Sequence, residues 1–103
     1  MTMTNVKPFV EIRSWAVTIP DRYRAPEARG WPTIAGVVAT SGHPSEGENM
    51  RSSAVITSDG REVITASGSR YRLVGPPRSG WLESMRESGA KGDPDRPLRD
   101  WER

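Results

Sequence analysis

The 103-residue chain predicts a mainly β fold: a small five-stranded antiparallel barrel of the SH3-like kind, with a short C-terminal helix and a disordered tail. Three observations predict it. Short runs rich in β-branched and aromatic residues are separated by turn dipeptides. The first run changes its apolar phase midway, as a strand bent across two sheets would. A single short helical pattern follows a Gly-Pro-Pro stop.

The first strand is expected over residues 8–19, PFVEIRSWAVTI, ending at Pro20. Val10 and Ile12 carry the apolar phase at first, and Trp15, Val17 and Ile19 carry it afterwards. A period of two permits that slip near Arg13–Ser14 only through a bulge or bend. Residues 20–30 are a polar connection with two prolines. The second strand is expected within residues 31–40 after Pro32, with Gly36 marking a bulge or a close approach. Residues 41–49, SGHPSEGEN, form a loop. MRSSAVIT, REVITA and SRYRLV then form a meander over 50–74. Asp59-Gly60 centres its first turn, since Asp-Gly suits a two-residue hairpin, and Ser67-Gly68 centres the second. That register aligns Val55, Ile64 and Tyr71 on one face and sets Ile56 and Val63 beside Arg70 and Arg72 on the other.

Gly75-Pro76-Pro77 stops the sheet. Ser79 or Gly80 can cap a helix over 81–88, with Gly89 at its left-handed end. Trp81, Leu82 and Met85 share one face of this helix and can plug the open end of a barrel. Residues 1–89 thus form a single small domain. Residues 90–103 are a charged flexible tail whose composition favours disorder, although Leu98 and Trp101, spaced i, i+3, allow it to dock back or to order on a partner.

Composition narrows the function. Hydrophobic residues are 34% of the chain, below the globular norm of about 45–50%, and a chain this short buries only about 60–65% of its unfolded surface. No cysteine is present and only one histidine, which excludes a thiolate metal site, a Cys nucleophile and a poly-His centre. No apolar run approaches the ~18 residues of a membrane span, and the N-terminal stretch lacks the apolar core of a signal peptide. A small cytoplasmic protein without a cofactor is expected. The net charge is +2. Of the 15 basic residues only Lys7 and Lys91 are lysines, and arginine-rich usage fits planar, paired recognition of carboxylate or phosphate as well as a GC-rich coding sequence.

Catalysis has no support. His43, Glu46 and Glu48 lie in a Gly/Pro loop without metal-ligand spacing. Ser52 and Ser53 lack a nucleophile-elbow motif, and no glycine pattern matches a phosphate-binding loop. The candidate binding residues are Arg70 and Arg72, which leave the same side of a strand while Tyr71 leaves the other, with Arg51 and Arg61 near in sequence. Trp31, between Gly30 and Pro32, is added because an exposed tryptophan is a typical hot spot; Trp15 and Trp81 are assigned to the core. The plain alternative is a solvated face that keeps the sheet edges soluble.

Gly42-His43-Pro44, Ser52–Thr57, Asp59-Gly60 and the run Thr65 to Leu73 together resemble a pattern of small, mostly uncharacterised β-barrel proteins. These are carried by phages, prophages and mobile elements of proteobacteria, and the resemblance spans residues 42–77, about a third of the chain. It implies a small barrel and transfers no catalytic residues. By analogy with anti-CRISPR proteins, it implies a non-catalytic inhibitor that binds a host defence protein or ribonucleoprotein, such as a CRISPR effector, in the host cytoplasm. The alternative function is a small nucleic-acid-binding module using the Arg-rich sheet face.

Overall fold

The computed structural model describes residues 8–18, 31–87, 89 and 92–98. The expected 20–30 connection, Ile19 and Trp101 lie outside them. The described residues form a mainly β fold: one mixed six-stranded sheet and one short helix. The strands are β1 (Val10–Thr18), β2 (Thr33–Val38), β3 (Asn49–Arg51), β4 (Val55–Asp59), β5 (Glu62–Thr65) and β6 (Arg70–Leu73), and the helix α1 is Trp81–Glu87. Across the sheet they run β3-β2-β1-β6-β5-β4.

The apolar slip in β1 is a bulge. Its pairing with β2 shifts register between Arg13 and Ala16, and Ser14 adopts a φ of 48°. Ile12 before the bulge and Trp15 and Val17 after it are all buried; an unbroken strand would turn one of these sets to solvent. Gly36 on β2 faces the bulge. A Cβ there would stand 2.8 Å from the Arg13 carbonyl oxygen and 3.2 Å from the Trp15 Cα, so close approach, rather than a bulge in β2 itself, is why glycine occupies the position.

The architecture differs from a five-stranded antiparallel barrel in three ways. The run from Met50 is two strands, because the chain turns a corner at Ser52–Ala54. There the Ser52 N–H donates to the Ile34 carbonyl at 2.8 Å and the Ser52 hydroxyl accepts the Ile34 N–H at 2.9 Å. Beyond the corner the Val55 N–H reaches the Pro32 carbonyl at 2.8 Å. The sheet is also mixed: β1 runs parallel to β6, pairing Val10 with Tyr71, Glu11 with Arg72 and Ile12 with Leu73. Finally, it curls so that its ends touch at the corner, but it does not close into a barrel.

Both hairpins are displaced from the expected register. In the first, Asp59 pairs with Glu62, so Gly60-Arg61 rather than Asp59-Gly60 is the turn. Gly60 has a φ of 60° and Arg61 does not enter the positive region, the type II′ pattern with glycine first. A register shift between Val55 and Thr57 absorbs the slip. In the second, Ala66-Ser67-Gly68 is a three-residue loop. Gly68 at φ 84° donates to the Thr65 carbonyl, and the Thr65 N–H donates to the Ser69 carbonyl. Tyr71 therefore pairs with Val63 and Arg70 with Ile64, and Val63 leaves the expected cationic face for the core. Burial decides this register, since Val63, Tyr71 and Val10 then line one inner row across three strands.

Trp81 and Met85 of α1 are buried against the inner face of the sheet. The helix begins where the Gly80 carbonyl accepts the Ser84 N–H, and Gly89, with a φ of 83°, lies just beyond its last residue, Glu87. Of the C-terminal segment, residues 92–98 lie against this core: Leu98 is 1% exposed and Pro97 is fully buried. Pro94 and Pro97 lower the entropy lost on ordering, and one leucine seated in the core offsets much of the remainder.

Candidate binding face and adjoining cleft

β6 holds the two arginines singled out by the sequence. Residues 70 and 72 leave the strand on its outer side, and Phe9, just ahead of β1, is brought beside them by the parallel β1–β6 pairing. The Arg70 guanidinium lies 4.1 Å from the Phe9 ring centroid and that of Arg72 lies 4.9 Å from the same ring. One aromatic ring thus holds two cations, each gaining an electrostatic attraction to it. Arg72 also donates from Nε and one terminal nitrogen to Glu62 Oε2, at 2.9 and 2.7 Å. Glu11 stands opposite Arg72 in the β1–β6 register. The face thus carries two arginines, and the charge of Arg72 is largely balanced by Glu62. Ile64, half-buried opposite Arg70, adds an apolar border.

The other sequence candidates sit elsewhere. Arg61, at the hairpin turn, donates to the Gly75 carbonyl at 2.8 Å, lies 5.6 Å over the Trp15 ring and faces Asp95 at 3.8 Å. It fastens the end of β6 and the docked 92–98 segment to the core. Arg51 is exposed on β3, three strands from β6. Trp31 is 55% exposed but precedes the end of β2 that pairs with Thr18, whereas β6 pairs with the Val10 end of β1. Ser52, with its hydroxyl bonded to backbone groups on both sides, serves the corner of the sheet. Among the described residues, no three His, Cys, Asp or Glu side chains group to hold a metal ion, and no helix is long and apolar enough to cross a membrane.

Two features escape sequence reasoning. Phe9 gives only a weak signal, as the one phenylalanine of the chain, alternating outward with Glu11 and Arg13. The second feature is a cleft of about 420 Å³ at the Val10 end of the sheet. Buried or half-buried Val10, Val38, Met50 and Tyr71 supply its apolar floor, and exposed Pro8 with His43, Ser45, Ser69 and Arg70 completes the lining. His43 Nδ1 accepts the Ser45 N–H at 3.0 Å, which places the proton of the neutral imidazole on Nε2. These residues come from β1, β2, β3, β6 and two loops, so no local pattern marks them. Arg70 belongs to both the cationic face and the cleft.

Comparison with protein-family models, curated proteins and solved structures finds no match to this chain.

Proposed function

We propose that this chain is a non-catalytic binding protein that grips an acidic protein surface through Arg70, Arg72 and Phe9. Its proposed role is to inhibit a host defence complex, such as a CRISPR effector, on behalf of a phage or mobile element. The observation that carries the binding reading is the stacking of two guanidinium groups on one Phe9 ring. Fixed arginines lose less freedom on forming paired hydrogen bonds with carboxylates, and the hydrophobic border suits the centre of a protein interface. The defence role rests on the resemblance of residues 42–77 alone.

A nucleic-acid module is the second reading, and one fact weighs against it. The net charge of the chain is only +2, whereas a phosphate-tracking face is usually strongly basic. The test is phage plating on a bacterial strand-targeting defence host expressing the chain. Wild type is expected to restore plaque formation against a CRISPR effector, and folded Arg70→Ala/Arg72→Ala is expected to lose most of that protection. Failure of wild type against every effector class tried defeats the defence role. Nucleic-acid binding with a steep log–log salt slope would favour the second reading.

A further inference from the structure

We infer that the cleft beside Arg70 is a binding site for an aromatic side chain flanked by carboxylates, the anchor by which an acidic protein partner is held. The inference rests on the proposed binding reading and extends it to a second, concave contact.

At about 420 Å³ the cleft falls within the range of small-ligand pockets, roughly 300–1,000 Å³. Among the described residues, Trp81 of α1 packs on Trp15, and the cleft lies at the other end of the sheet, beside Val10. The chemistry of the walls defines the occupant. Val10, Val38 and Met50 offer apolar surface, and Tyr71 adds an aromatic wall. A methionine sulfur and an aromatic wall both favour an aromatic guest.

The rim defines its charge. Among the described residues, Arg70 is the single permanently charged one lining the cleft, and its guanidinium is held on the Phe9 ring at 4.1 Å, with Arg72 over the same ring. No carboxylate of the described residues lines the cleft; the nearby Glu46 carboxylate turns back to accept the Gly42 N–H at 3.1 Å. An apolar floor with a cationic lip complements an aromatic residue whose sequence neighbours are acidic.

The test uses the full 15N-labelled chain and three probes: the peptides Ac-Asp-Trp-Asp-NH2 and Ac-Lys-Trp-Lys-NH2, and octanoate. The acidic peptide is expected to shift the amide signals of Val10, Val38, Met50 and Tyr71 in a saturable way, with NOEs from its indole to the Met50 methyl group. The basic peptide is expected to bind at least tenfold more weakly, and Arg70→Gln should remove most of that difference. Met50→Trp, which fills the cleft, should abolish binding. Should that variant misfold, the indole–Met50 NOE in wild type decides alone. Absence of saturable shifts at the four floor residues overturns the inference. So does equal binding of both peptides, and so does octanoate binding the cleft while the acidic peptide does not, which would make it a site for a free apolar carboxylate. Shifts confined to Phe9 and Arg72 would overturn the cleft and leave the outer face standing. Shifts at the floor that Arg72→Ala leaves unchanged would keep the cleft and count against the outer face.

Discussion

The indole of Trp81 meets that of Trp15 edge to face, with ring centroids 5.0 Å apart and planes inclined at 63°. Each N–H is satisfied by distant backbone: Trp15 Nε1 donates to the Gly75 carbonyl at 3.1 Å, and Trp81 Nε1 donates to the Val17 carbonyl at 3.0 Å. The pair fastens α1 and the chain after β6 to the first strand. It exists because the β1 bulge turns Trp15 inward, and the bulge has room because residue 36 lacks a side chain. Strand, bulge and helix therefore form one connected unit.

Gly36→Ala tests that unit. The added methyl group would press on the Arg13 carbonyl oxygen, 2.8 Å from an ideal Cβ position. Overpacking of this kind costs about 1–3 kcal/mol, and the backbone oxygen has little freedom to yield. A fall in the urea midpoint with the slope unchanged is expected. An unchanged midpoint would show that the bulge does not depend on Gly36.

Gly60→Val tests the first hairpin. Gly60 holds a φ of 60° at the first turn position, a region that costs a β-branched residue about 1–3 kcal/mol. A lower melting temperature is expected, and an unaltered one would remove this turn geometry from consideration.

Leu98→Ala tests the docked segment. The leucine side chain is fully buried among core residues, and such truncations cost about 2–5 kcal/mol. Equilibrium denaturation should show a loss in that range. A loss below ~0.5 kcal/mol would mean that residues 92–98 leave the core in solution.

Ser52→Ala tests the corner between β3 and β4. Its hydroxyl accepts the buried Ile34 N–H, and leaving a buried donor unmet costs about 1–3 kcal/mol. Ser53, exposed, with its hydroxyl bonded to the exposed Ser67 hydroxyl, serves as the comparison. Ser53→Ala should stay within ~0.5 kcal/mol of wild type. Equal effects from the two substitutions would dismiss the special role of Ser52.

Phe9→Leu tests the platform beneath the arginines. It keeps apolar bulk and removes the aromatic face that attracts the guanidinium groups, an interaction of about 0.5–1 kcal/mol at exposed sites. Affinity for an acidic partner should fall two- to fivefold with the circular dichroism spectrum preserved. Undiminished affinity would show that Arg70 and Arg72 act without the ring.

What the sequence by itself determined lies within short windows. The phase change at Arg13–Ser14, the helix after Gly80, its buried Trp81 and Met85, and the common side of Arg70 and Arg72 all follow from local periodicity and turn chemistry. Such signals need only a few neighbouring residues, because backbone sterics and side-chain direction repeat every two or 3.6 positions. Tertiary structure decided the rest: the parallel pairing of β1 with β6, the one-residue shift of both hairpins, the docking of Leu98, the placement of Phe9 under two arginines, and the cleft at the Val10 end. Each depends on residues tens of positions apart sharing one burial surface. A hairpin slipped by one residue can satisfy its own turn nearly as well, but only one register turns Val63 toward Tyr71 and Val10 while leaving Arg70 and Arg72 outside. That preference comes from the area removed from water when the whole sheet curls, and no local segment contains it.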